Sequence, residues 1–175
     1  MRWLLLPALA TIAVQAAAQP NVQKSDWELE QERREWKEGA VTMPAYPKAE
    51  GLIEFAVSGA TSFRFFIDPA SLSVAEDGVV RYTLVARSPA GVNNVSYEGI
   101  GCTAGIFKVF AYGSAGRWSS QRSEWKPIGY QTAQRWHYVL RDRFFCPLRQ
   151  PIHTAAEGLD ALRQGIHPVV RNYDR

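Results

Sequence analysis

Apolar and polar positions alternate most regularly across residues 79–102. Val80, Tyr82, Leu84 and Ala86 interleave with Val79, Arg81, Thr83, Val85 and Arg87, the period of a half-buried strand. Ser88-Pro89-Ala90-Gly91 interrupts the run with turn chemistry, and a second β-rich run over residues 92–100 leads back to Cys102. The pattern predicts the central hairpin of an antiparallel sheet. Upstream, Leu52, Ile53, Phe55 and Val57 predict one strand and the aromatic residues 61–67 another. Asp68-Pro69-Ala70-Ser71 is expected to break that second strand, and Glu76-Asp77-Gly78 to turn the chain into Val79. Downstream, residues 107–112, residues 136–140 and a short run at Phe144-Phe145 read as further strands. Between the first two lies a long polar and aromatic segment, 113–134, without predicted regular structure.

Helical periodicity is confined to the two ends. Thr154 and Glu157 form a capping-box signature, and Ala155, Leu159, Leu162 and Ile166 follow on one helical face, with Gly165 placed to end it. Gly158 inside this helix costs about 1 kcal/mol relative to alanine, so the helix must lean on the sheet. Near the other end, Ser25 as N-cap and Glu28 at N3 predict the start of a helix, strongly helix-forming over residues 29–38 and stopped by Gly39. Its Trp27 and Trp36 fall on opposite faces, and its apolar content is thin. Residues 41–48, with Pro44 and Pro47, read as an extended connector. The sum is an α+β fold in a single domain: an antiparallel sheet of about six strands, a C-terminal helix on one face and a short N-terminal helix.

The first 18 residues read as a processing signal. Met1-Arg2 is a short basic start, residues 3–14 are apolar, and Ala16-Ala17-Ala18 supplies a small-x-small cleavage pattern. The apolar stretch is shorter than the roughly 20 residues of a membrane span, and no cysteine sits at the cleavage site to carry a lipid. Cleavage after Ala18 leaves 157 of the 175 residues, and no transmembrane span in the mature chain. The expected organisation is therefore signal 1–18, N-terminal arm 19–48, core domain 49–167 and tail 168–175. Export to an oxidising periplasm makes a Cys102–Cys146 disulfide the expected state of two isolated cysteines 44 positions apart, contributing about 3–4 kcal/mol by loop closure.

Formal charge is +3, or +2 once Arg2 is removed, but its distribution is uneven. Residues 19–102 hold 8 Lys/Arg against 12 Asp/Glu, and residues 103–175 hold 11 against 5. A basic half suits an anionic partner, or serves only as a solvated face.

The segments AYPKAEGLIEFAV (45–57), TSFRFFIDPASLSV (61–74), GVVRYTLVARSPAGVNNVSYEGIGC (78–102), RWHYVLRDRFFCP (135–147) and AAEGLDALRQG (155–165) resemble the cryptic neisserial protein-like family, exported proteobacterial proteins of uncharacterised function. The resemblance covers most of residues 36–165. It implies a small domain of the cell envelope, periplasmic or associated with the outer membrane, and brings no catalytic residues or cofactor.

Candidate chemistry is sparse. No HExxH, GxSxG, P-loop or GxGxxG occurs, and neither a metal nor a cofactor is expected. His137, in a predicted strand, and Asp142 form a conceivable acid–base pair, and with Glu98 they are the alternative site of a hydrolase or transferase. Glu98 itself is expected to pair across strands with Arg81 or Arg87. The best binding candidate is residues 117–136, where Trp118, Trp125 and Trp136 interleave with Arg117, Arg122 and Arg135. Aromatic faces stack on sugar rings, and guanidinium groups hold anionic oxygens. The expected partner is thus an anionic envelope glycan, a lipid head group or an envelope protein, and export argues against nucleic acid. The plainer reading is a hairpin whose tryptophans close the sheet edge.

Overall fold

The computed structural model describes residues 36–57, 61–130 and 134–173. The chain divides after Trp36, and the unit Lys37–Arg175 carries the fold. The signal, the Ser25 capping box and most of the predicted N-terminal helix lie outside the described residues. Residues 36–38, the end of that predicted helix, carry no regular secondary structure.

Six strands follow one another as an antiparallel meander: β1 (Ile53–Phe55), β2 (Arg64–Val74), β3 (Val79–Arg87), β4 (Asn93–Gly101), β5 (Ile106–Ser114) and β6 (Arg117–Ser120). A seventh, β7 (Lys126–Pro127), pairs with the start of β5. The predicted central hairpin is β3–β4, registered from Val79 opposite Gly101 to Arg87 opposite Asn93. Asp68-Pro69-Ala70-Ser71 does not end β2 as expected. The strand runs on through a register shift between Asp68 and Ser73. The shift is held by local polar groups: Asp68 accepts from the Ala70 N–H, and the Ser71 hydroxyl accepts from the Thr83 N–H of β3 at 2.7 Å. A side chain thereby replaces the carbonyl that the bulge moves away.

The largest correction concerns residues 135–145. The expected strands there are helical: α1 (Arg135–Val139) runs into a wider π-helical stretch, Leu140–Phe145. A single turn, Pro147–Arg149, follows. Aromatic and β-branched content made the run strand-like, yet its buried members His137, Leu140 and Phe144 recur at helical spacing. The predicted C-terminal helix is α2 (Ala155–Arg163), and the Thr154 hydroxyl accepts from the Glu157 N–H. A short α3 (Pro168–Tyr173) forms most of the expected tail. The predicted strand over 107–112 is β5, and the segment expected to be irregular holds its end, β6 and β7, with the left-handed pair Ala115 and Gly116 at the β5–β6 tip.

The alternation in β3 and β4 builds two faces. On the front, Tyr82, Leu84 and Ile100 pack with Phe144, Phe145, Ile152 and Leu162 of the helical layer. On the back, Phe66, Val85, Val95, Tyr97 and Phe110 are covered by the extended segment carrying Val41, Met43 and Tyr46. The expected disulfide is present, with Cα atoms of Cys102 and Cys146 5.4 Å apart. It joins the turn after β4 to the end of the π-helical stretch, not to another strand.

Candidate functional site

Among the described residues the helices cover only part of the front face. Beyond them lies a cleft of about 670 Å³, floored by β3, β4 and β5 and walled by residues 61–65 and the start of α1. Phe65 and Trp136 stack at its side, ring centroids 5.3 Å apart. Phe63 and Tyr112, 39% and 50% exposed, stand at its rim. Asn94, Ser96 and Gln134 add amide and hydroxyl groups.

One charged side chain lies in the floor. Glu98, 2% exposed, faces its register partner Tyr82. Three donors converge on its carboxylate: the Tyr82 hydroxyl at 3.1 Å, the Ser96 hydroxyl at 2.6 Å and the His137 Nε2 at 2.9 Å. Burial pushes the Glu98 carboxyl up, but the His137 charge and the three hydrogen bonds outweigh it and hold it below the ordinary glutamate value. Burial, with the Glu98 charge beside it, pushes the Tyr82 phenol well above its usual range. His137 is 1% exposed and stacks on Phe107 at 3.7 Å, leaving Nδ1 buried without a hydrogen-bond partner.

This network corrects the expected pairing of Glu98 with Arg81 or Arg87. Those two lie at the other parity of β3 and point to the back face. Arg81 pairs there with Asp77, both side chains buried, and Arg87 lies over Phe66. The conceivable His137–Asp142 pair is also absent, because Asp142 is exposed and lies against Tyr138. Parity was the legible signal: Glu98, Ser96 and Tyr82 share a face once the hairpin register is set. His137 was hidden by the misread helix.

The run 117–136 is divided between the two faces. Trp118 packs on the back against Tyr46 and Tyr97 and donates to the Pro44 carbonyl at 2.9 Å. Trp125 meets Phe110 edge-on and donates to Glu38, which also pairs with Lys108. Trp136 belongs to the front core. Arg117 and Arg122 are exposed, and Arg135 lies over the Tyr130 ring at 4.2 Å. Only Trp136 of the six lines the front cleft. His153 and His167 both contact Glu157.

Among the described residues no group of His, Cys, Asp and Glu is placed to hold a metal ion, and no helix is long and apolar enough to cross a membrane. No solved structure matches the chain. Among curated proteins, Cryptic neisserial protein 1 of Neisseria gonorrhoeae is 33% identical over 113 residues, spanning 55% of this chain and 56% of the relative. The chain thus matches about half the length of that relative. The CNP1-like family model matches residues 31–163, taking in the sheet, the buried Glu98–His137 pair and α2. The chain belongs to the CNP1-like family.

Proposed function

We propose that this protein is an exported, non-catalytic binding domain that holds a saccharide of the cell envelope in its front-face cleft. The observation that carries the reading is the cleft itself, a concave site of ligand size on the front of the sheet. The exposed rings of Phe63 and Tyr112 offer flat apolar faces to the C–H surface of a sugar ring. Asn94, Ser96 and Gln134 offer the mixed donors and acceptors that hydroxyl groups need. The disulfide supports an oxidising compartment, and with the processing signal read in residues 1–18 it favours the periplasm.

The Glu98–His137 pair supports binding over hydrolysis. A hydrolytic serine needs a competent base to take its proton, whereas the Ser96 hydroxyl donates to Glu98, a carboxylate held below its ordinary value and so a weak base. The carboxylate gathers donors as a satisfied buried anion, fixing the cleft floor to α1.

Calorimetric titration of the full chain with the disaccharide of N-acetylglucosamine and N-acetylmuramic acid tests the proposal. Saturable binding is expected, weakened about tenfold (about 1.4 kcal/mol) by Tyr112→Ala or Asn94→Ala and unchanged by Arg122→Ala. Loss with Arg122→Ala instead would move the site to residues 117–136. No binding by the parent would remove the saccharide reading.

A further inference from the structure

A second notch lies away from the cleft, where the chain turns sharply after the π-helical stretch. Leu148 and Arg149 are both left-handed, with φ of 53° and 64°. Side chains with a β-carbon pay about 1–2 kcal/mol each for that conformation. Hydrogen bonds from the Arg149 N–H to the Cys146 carbonyl and from the Gln150 N–H to the Pro147 carbonyl, both 3.0 Å, hold the turn. The disulfide at Cys146 anchors its base. The turn presents Leu148 outward, 61% exposed, with Tyr173 of α3, 72% exposed, beside the same notch.

The notch encloses about 340 Å³ and is lined by Arg141, Arg149, Tyr138 and Asp142 as well as these two residues. Its one carboxylate, Asp142, lies against the Tyr138 hydroxyl. Among the described residues neither Arg141 nor Arg149 pairs with a carboxylate, and the Arg141 Nε is buried without a hydrogen-bond partner. Two guanidinium groups, set against the single charge of Asp142, therefore share a concavity with two protruding apolar side chains, in the half of the chain that carries the positive excess.

We propose that this notch docks the protein on a bilayer of anionic phospholipid. One headgroup phosphate enters between Arg141 and Arg149, and Leu148 and Tyr173 enter the boundary between headgroups and acyl chains. Planar guanidinium forks match phosphate oxygens, and each arginine at an anionic surface contributes about 1 kcal/mol. A scattered exposed leucine means little by itself. Placed beside two arginines that outnumber the one carboxylate, it gives the pairing of apolar insertion with charge that interfacial binding requires. A soluble phosphate would use the arginines and leave Leu148 idle, so the lipid surface is the better fit.

Cosedimentation of the full chain tests this with vesicles of phosphatidylcholine, alone or mixed in equal parts with phosphatidylglycerol. The parent is expected to prefer the mixed vesicles. The double variant Arg141→Gln/Arg149→Gln should bind them about 30-fold more weakly, from about 1 kcal/mol for each arginine. Arg141→Lys/Arg149→Lys, which keeps the charge and loses the fork, should fall between them. Leu148→Ser should weaken binding to both kinds of vesicle. The apolar stretch 3–14 is common to all these proteins, so their differences report the notch. Equal binding by the parent and the glutamine variant, or by the parent to the two vesicle types, would overturn the proposal. So would a parent that binds inorganic phosphate at the notch and ignores vesicles.

Discussion

Asp77 closes the turn into β3 and also receives the guanidinium of Arg81, the third residue of that strand. Its two oxygens accept from Arg81 at 3.1 and 2.6 Å, from the Val79 N–H at 3.0 Å and from the Gly39 N–H at 2.7 Å. Burial pushes the carboxyl up, but Arg81 and the two backbone donors outweigh it and hold it below the ordinary aspartate value. Asp77→Asn would leave Arg81 charged and buried, and should cost about 3–5 kcal/mol in urea denaturation at neutral pH. Because Asp77 and Glu98 both titrate below their unfolded values, their stabilisation is complete above about pH 4–5 and is lost as pH falls through the lower folded values. Denaturation midpoints should therefore fall on acidification below about pH 4, and less steeply in Glu98→Gln than in the parent. A parent midpoint flat across that window would refute the assignment. The turn role of Asp77-Gly78 was readable from local chemistry. The ion pair was less so, since Gly39, its fourth donor, is 38 positions away.

At the scale of elements, the helix α2 shows how packing overrides propensity. Gly158 is intrinsically the worst residue of that helix, yet a β-carbon there would lie 2.5 Å from the Ile152 Cδ1 and 3.0 Å from the Leu72 Cδ2. The glycine lets the helix approach β2. Gly158→Ala should thus destabilise by about 1–3 kcal/mol as overpacking, despite a helix preference of about 1 kcal/mol in alanine's favour. Leu162→Ala, on the same buried side, should cost about 2–5 kcal/mol. Chemical denaturation of both variants measures this, and a stabilised Gly158→Ala would show that the Ile152 and Leu72 side chains give way to the added methyl. The helix and its Thr154 cap were legible because their pattern is local. Residues 135–145 were not, because Trp136, Tyr138, Val139 and Phe144 suit a strand as well as a buried helix. Contact with Phe65, Phe107 and the disulfide selects the helix.

For the whole molecule, the Cys102–Cys146 bridge ties the sheet to its helical layer. Replacing both cysteines by serine should lower stability by about 3–4 kcal/mol through the larger freedom of the unfolded chain. Thermal unfolding of that variant against the parent reads the loss, and an unchanged midpoint would show the layers to be held by packing alone. The alternation of residues 79–102, the turns around them, the two lone cysteines and the α2 periodicity by themselves determined an antiparallel α+β domain with one disulfide. Those signals are short-range or few enough to leave one solution. Tertiary structure alone decided that Glu98 meets His137 and not an arginine. It also put Trp118 and Trp125 on the back under residues 38–46, and among the described residues left the front cleft and the Arg141–Arg149 notch uncovered. Each of these depends on which distant segments cover which face, and that is settled by burial summed over the fold rather than by any local pattern.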